Sequence, residues 1–212
     1  MTQAPVLAAP PARSRRFDGR RLRSERTRQL IIEAYLELLA RNVRAPTASQ
    51  IAKQAGYSVR SIFERFADLG ALGLAAADHA IAAAQSEAAA RDVDADRPTR
   101  IGSHVKIRAQ ACEKWLPLWR AMIDTQAQIA DLKARVVLVR RANLERLRLM
   151  YRPELSTLPE PEREQLVMAM GAMTSFESWD QMRYGYDLTM DAAQAVWRTA
   201  IDRMLPATPH PA

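Results

Sequence analysis

Leu30, Ile31, Ala34, Tyr35, Leu38 and Leu39 recur one helical turn apart, and Glu33, Glu37 and Arg41 fall between them. A helical period sets one apolar stripe against a polar face, so a helix is predicted over about residues 24–40. Beyond Pro46, Thr47-Ala48-Ser49-Gln50 has capping-box spacing, in which hydroxyl and amide satisfy free backbone donors. A second, short helix starts there and reaches about Gln54. Ala55-Gly56-Tyr57 ends it, since glycine accepts the left-handed conformation that terminates helices. Ser58 can cap a third helix at once. From there to Phe66, Val59, Ile62 and Phe66 share one face, and Arg60, Ser61, Glu64 and Arg65 lie on the other.

The rest of the chain also reads as helix. An alanine-rich helix is predicted over residues 69–90, a polar loop over 91–98, and further helices over 99–112, 116–123, 125–151, 161–184 and 189–205. Pro117, Pro153 and Gly185 punctuate them, and no window sustains strand-like alternation. The expected fold class is all-α.

Charge divides the chain in two. Residues 1–66 carry 13 Lys and Arg against 5 Asp and Glu, and the remainder carries 18 against 19, within a net charge of +7. A basic block joined to a near-neutral one points to a polyanion-binding module attached to a module with another task. With 48% hydrophobic residues among 212, the chain can bury a core without staples. Cys112 is the only cysteine, which leaves no disulfide framework within one chain and no cysteine metal cluster, and fits a reducing cytoplasm. No apolar run approaches the roughly 18 residues that cross a bilayer, so no membrane partner is expected.

A helix, a glycine turn and a second helix with a basic outer face can place that second helix in the DNA major groove. Ile51, Ala52, Ala55, Val59, Ile62 and Phe66 are suited to hold the pair together, while Arg60, Ser61 and Arg65 project with donors for bases and phosphates. Arg60 leads this set, because an arginine can fork two hydrogen bonds onto a guanine edge. Glu64 reads as a solvated residue, with acceptance from a cytosine amine as the alternative.

The stretch Pro46-Thr47, Ile51-Ala52, Ala55-Gly56, Ser58-Val59, Ser61-Ile62-Phe63 and Phe66, preceded by an amphipathic helix, resembles the DNA-binding domain of the TetR family of bacterial transcriptional regulators. The resemblance covers about residues 24–74. It implies that Thr47 touches a phosphate, that Arg60 and Ser61 face base edges, and that Phe63 and Arg65 lie along the backbone; Ser58 belongs to the same set. The chain also departs from the family pattern. Phe63-Glu64-Arg65-Phe66 stands where Tyr-x-His-Phe is common, and Leu69 with Gly70 replaces a lysine that contacts phosphate. Compensation is expected from an arginine-dense N-terminal arm of which Arg20, Arg21 and Arg23 are the chosen contacts, tracking phosphates or entering the minor groove.

The resemblance further implies a helical regulatory domain that pairs two C-terminal helices in a homodimer. Leu166, Met170 and Met173 on one helix, with Ala192, Val196 and Thr199 on the next, are the candidate interface; periodicity leaves internal core open for the same residues. His104, Trp115, Trp119, Met122, Met173, Phe176 and Trp179 are the candidate lining of a cavity for an apolar effector. The arginines from Arg135 to Arg152 read as a solvated face, with an acidic-ligand site as the alternative.

The expected organisation is thus a disordered basic arm (1–22), a three-helix DNA-binding domain (23–68), a regulatory and dimerisation domain (69–205) and a frayed tail (206–212). The expected function is a sequence-specific transcriptional repressor that binds a near-palindromic duplex operator and is released by a small molecule. Sequence-independent DNA binding through the arm is the alternative, followed by an all-helical enzyme. HExxH, a Walker-type phosphate loop and Gly-x-Ser-x-Gly are all missing, and no cofactor or metal is expected. Deleting residues 1–22 should weaken DNA binding and flatten its salt dependence in titrations at several ionic strengths; an unchanged slope would refute a role for the arm in phosphate contact.

Overall fold

The structure is a computed structural model that describes residues 13–41, 45–87 and 92–209. Regular structure among them is entirely helical: α1 (Arg13–Arg41), α2 (Ala48–Ala55), α3 (Val59–Phe63), α4 (Leu69–Glu87), α5 (Arg97–Thr125), α6 (Ala130–Met150), α7 (Arg152–Leu155), α8 (Glu160–Met173), α9 (Phe176–Asp180), a π-helical turn (Gln181–Gly185) and α10 (Met190–Met204). The expectation of an all-α chain holds.

The first helix begins well before the expected start. Arg13–Arg23 is rich in arginine and has no proline, so nothing local stops the helix from growing outward from its anchored end. The arm placed at 1–22 is therefore helical from Arg13, and residues 1–12 lie outside the described residues. The anchored end packs through Ile31, Ile32, Tyr35 and Leu39, while Leu30, expected in the stripe, is 36% exposed. Those side chains meet Ile51 and Ala52 of α2, Ile62 of α3, Phe66, and Leu72 and Ala76 of α4 in a core that continues without a break into the C-terminal helices. α4 packs against α1, α5 and α6, which makes it the shared wall of both halves.

The start of α4 explains the departure at Leu69 and Gly70. Asp68 Oδ1 accepts from Ala71 N at 2.7 Å, Leu69 packs on the core, and a Cβ at Gly70 would lie 3.1 Å from Ile129 Cδ1. Close docking on the α5–α6 connection occupies the place where the family pattern has a phosphate-binding lysine.

Local signals mislead at two points in the second half. α5 runs straight through Pro117, because one missing backbone bond to the Glu113 carbonyl costs less than exposing the apolar residues on either side. The long helix expected at 161–184 is instead broken at Ser175, whose Oγ caps α9 by accepting from Ser178 N at 3.1 Å.

A buried ion pair ties these helices together. Arg100 and Glu154 are 2% and 0% exposed; Arg100 donates to both carboxylate oxygens (2.8 and 2.5 Å), to the Met150 carbonyl and to the Ala95 carbonyl. Thr208 donates to Glu154 Oε1 at 2.6 Å, and Arg97 donates to the Pro206 carbonyl at 2.5 Å, so the tail expected to fray is pinned as far as Thr208. The carboxylate needs those donors because it is out of water. Glu154→Ala should lower the unfolding free energy by about 3–5 kcal/mol in urea titrations, whereas the double substitution Arg100→Met with Glu154→Leu should recover most of the loss. A single substitution that costs nothing would show that the pair is not a structural tie.

Candidate nucleic-acid interface and ligand cavity

α2 and α3 are held by reciprocal local bonds. Thr47 Oγ1 accepts from Gln50 N at 3.3 Å, and the Gln50 amide oxygen accepts from Thr47 N at 2.8 Å, the capping box expected there. Gly56 sits at φ +74°, in the left-handed region, and its N–H donates to the Ala52 carbonyl. Ser58 Oγ accepts from Ser61 N at 3.1 Å and caps α3. Gln54 ties the unit to α1 through Glu37 Oε2 at 2.7 Å. The turn is thus held by a side-chain cap at the start of each short helix and a left-handed glycine at the end of the first.

On this frame Thr47, Ser58 and Arg60 are exposed, and Ser61 is half-buried. The Arg60 side chain is 88% exposed and meets Glu64 through a 3.0 Å contact one turn away. Exposed pairs of this kind contribute well under about 1 kcal/mol, so Arg60 can leave Glu64 for a base edge at little cost. Phe63 is 47% exposed, a large apolar ring in water at the end of α3.

Arg65 departs from the expected projection. α3 ends at Phe63, so Arg65 lies in the following turn, half-buried, and donates to the Ser61 carbonyl at 2.9 Å. Val59, expected to face inward, is 37% exposed at the first position of the five-residue α3. Arg21 and Arg23 are exposed on α1; the Arg20 side chain lies outside the described residues. Arg28 is half-buried, with its guanidinium 5.0 Å from the centre of the Phe66 ring.

A cavity of about 190 Å³ lies among α4, α5, α6 and α9. Small side chains create it. Ala77, Ala80 and Ala84 line the α4 wall, and they leave unfilled the space between them and the bulky side chains opposite. His104, Trp115, Trp119, Met122 and Phe176 of the expected set line it. Trp119 and Phe176 stack, centroids 4.7 Å apart and 14° from parallel. Met173 and Trp179 are not part of the wall. Trp179 is fully buried against Trp197, and its indole N–H donates to Glu113 at 2.8 Å.

Arg108, Asn143 and Arg146 also line the cavity; the sequence reading passes over Arg108 and Asn143 and puts Arg146 on a solvated face, with an acidic-ligand site as the alternative. Their one signal is a polar residue on a helix face otherwise apolar. His104 Nδ1 lies 2.7 Å from the Tyr151 hydroxyl, and burial, then the charges of Arg108 and Arg146, push the imidazole down to about 3. The ring is neutral at neutral pH. Leu118 and Met122 also line a second space of about 440 Å³ against Tyr35, Leu39 and Pro46, so these two α5 side chains separate the cavity from the N-terminal helices.

The candidate interface residues divide between the inside and the outside of the chain. Met170 is fully buried, as are its neighbours in the stripe, Val167 and Thr174, because that side of α8 faces α6. Leu166 and Met173 are half-buried and pack on the core. The outward apolar side of α8 carries Met168, 57% exposed; on α10, Val196 is 47% exposed, Thr199 is exposed and Ala192 half-buried.

No protein-family model and no curated protein matches the chain. Solved structures do. The fold is similar to the multidrug binding protein EbrR in complex with imidazole, with a TM-score of 0.61 at 15% identity over 86% of this chain and 92% of that one. A Rhodococcus sp. protein described as a TetR-family transcriptional regulator gives a TM-score of 0.62 at 15% identity over 85% and 98%. A Streptomyces coelicolor protein described as a transcriptional regulator, SCO4942, gives 0.50 at 21% identity over 85% and 98%. At these identities the likeness establishes the fold: this chain has the all-α fold of a TetR-family regulator.

The His104 shift has a measurable consequence. An unfolded imidazole titrates near about 6.5, so below that value the unfolded chain binds a proton that the folded one refuses. The stability contributed by neutral His104 is complete above about pH 6.5 and is lost as pH falls towards 3. Urea titrations at a series of pH values should show a flatter acid dependence between about pH 6.5 and 4 for His104→Gln than for the parent.

Proposed function

We propose that the protein is a cytoplasmic, sequence-specific DNA-binding regulator, a homodimeric repressor that a small molecule releases from its operator. The observation that carries this reading is the capped α2–turn–α3 unit with Arg60 held outward on it. Thr47, Ser58 and Ser61 supply hydroxyls beside it, and exposed Arg21 and Arg23 add positive charge on the preceding helix. The fold shared with transcriptional regulators supports the same reading. Arg65, committed to the Ser61 carbonyl, has the smallest part in phosphate contact.

The domain division follows from this reading: residues 23–68 carry DNA binding, and residues 69–205 carry effector binding and dimerisation. The dimer surface is proposed on Ala192, Val196 and Thr199 of α10 together with the Met168 side of α8, which supply exposed apolar area. A two-fold dimer presents two α3 helices to successive major grooves, about 34–36 Å apart, which is why the operator is expected to be near-palindromic. The effector occupies the α4–α5–α6 cavity. α4 forms one wall and also packs on α1, so a ligand that favours another placement of α4 disfavours the DNA-binding spacing.

Selection of bound sequences from a random duplex library, followed by titration at fixed salt, tests the reading. A near-palindromic winner is expected, and Arg60→Ala should lose about 1–3 kcal/mol of discrimination at particular base pairs while binding other positions as before. Equal, salt-sensitive affinity for every duplex would replace it with sequence-independent binding through the arginines of α1.

A further inference from the structure

Two buried side chains meet beside the cavity and leave one donor over. Tyr151 is fully buried, and its hydroxyl lies 2.7 Å from His104 Nδ1. Among the described residues, that nitrogen is the hydroxyl's one hydrogen-bond partner. The imidazole is neutral, so it carries one N–H and one lone pair. If Nδ1 donated, the Tyr151 proton and the Nε2 lone pair would both be buried without a partner. If Tyr151 donates to Nδ1, the hydroxyl proton is used and the ring proton sits on Nε2, which leaves one group over instead of two. His104 therefore holds its proton on Nε2.

That Nε2 makes no hydrogen bond, although the residue is 2% exposed. In an imidazole the edge opposite Nδ1 is the Cδ2–Nε2 bond. Tyr151 stands outside the cavity wall and His104 is part of it, so the ring meets the cavity on the edge away from Tyr151, where Nε2 lies. Two further groups follow on the same side of α5: the indole N–H of Trp115 and that of Trp119 are buried without an acceptor, and both residues line the cavity. An indole nitrogen donates only. Buried donors are rarely left without an acceptor, and three on the residues of one wall ask for acceptor atoms from outside the chain. These donors are neutral. They suit a dipole, since a ketone or ester oxygen loses less on leaving water than an ion does. The stacked Trp119 and Phe176 rings and the alanines of α4 make the rest of the wall flat and apolar.

We infer that the cavity takes an aromatic carbonyl compound, its ring among the aromatic and alanine side chains of the wall and its carbonyl oxygen accepting from His104 Nε2–H. Tyr151 is a positioning residue, which holds the imidazole in the tautomer that donates. The inference rests on the effector reading proposed above and narrows it to a ligand class.

The test uses the full chain and two probes of one shape: acetophenone, and α-methylstyrene, in which a methylene replaces the carbonyl oxygen. Both are titrated by calorimetry, and acetophenone labelled at its carbonyl carbon is followed by carbon NMR. Acetophenone should bind about fivefold or more tightly. Its bound carbonyl carbon should resonate downfield of its position in hexane, as a hydrogen-bonded carbonyl does. His104→Phe paired with Tyr151→Phe, so that no hydroxyl is stranded, should erase both the preference and the downfield shift, with thermal melting confirming the fold. His104→Gln should retain most of both, because its amide can accept from Tyr151 and donate to the ligand. Equal affinity for the two probes, or a carbonyl resonance at its hexane position, overturns the inference and leaves an effector cavity standing. A preference and shift that survive the paired substitution overturn the assignment to His104. If the paired variant does not fold, nuclear Overhauser contacts in the parent decide that assignment: contact between the probe methyl and the His104 ring upholds it, and none overturns it. Failure of both probes overturns the effector reading as well, while operator selection reads DNA binding independently.

Discussion

The C-terminal helices depend on one buried pair, Arg100 with Glu154. An ion pair removed from water is a poor source of net stability, because desolvation consumes most of the attraction. Its value lies in geometry. A guanidinium that must satisfy the Glu154 carboxylate and the Met150 and Ala95 carbonyls together has one acceptable position, and that position sets where α5 begins relative to the end of α6 and to α7. Thr208 completes the carboxylate and draws the chain beyond α10 into the same knot. With α5 fixed at this end and packed along α6 and α10, its middle turns hold the side chains that wall the cavity. A hydrophobic contact in the same place would tolerate sliding along the helix axis; this pair does not.

The features legible in the sequence are those whose cause is local. A capping box at Thr47, a glycine at 56 and a cap at Ser58 each satisfy backbone groups within a few residues, so they could be read without tertiary structure. Features decided by packing could not. Periodicity puts Met170 on an apolar stripe but leaves interface and internal core open for it, and only the approach of α6 decides: a Cβ at Gly171 would run into Leu144 Cδ2, so that side of α8 lies tight against α6 and Met170 goes inside. Arg65 leaves the outer face that helical periodicity gives it because α3 stops at Phe63, and nothing in the side-chain pattern marks that stop. Among the arginines expected on a solvated face, Arg146 alone lines the cavity of α4–α6, a distinction that depends on the small residues of another helix.

Those small residues also account for the cavity's existence. Protein interiors pack at the density of organic crystals, and voids are rare. A helix that presents Ala77, Ala80 and Ala84 to a wall of indoles and a phenyl ring leaves space that no rotamer of those alanines can fill. Folding alone gives no reason to keep such a space, or to place guanidiniums in it. A larger residue on α4 would gain contacts. On the effector reading proposed above, a ligand supplies those missing contacts from outside the chain.

Coupling between the proposed effector site and the proposed DNA-binding helices has a physical limit: a ligand can shift an equilibrium only by its difference in affinity for the two arrangements. The cavity must therefore include groups that move with the N-terminal unit. Leu118 and Met122 meet that condition, since they separate the cavity from a second space against Pro46 and Tyr35. α4 meets it too, because its alanines face the cavity while its first turn carries Leu69 and Gly70, docked near Ile129. Under the proposed function, leucine at position 69 in place of the lysine of the family pattern then acquires a reason. A lysine there would reach for DNA from a flexible stem, whereas leucine and glycine seat the start of α4 firmly on the α5–α6 connection, and a lever transmits displacement only as well as its ends are seated.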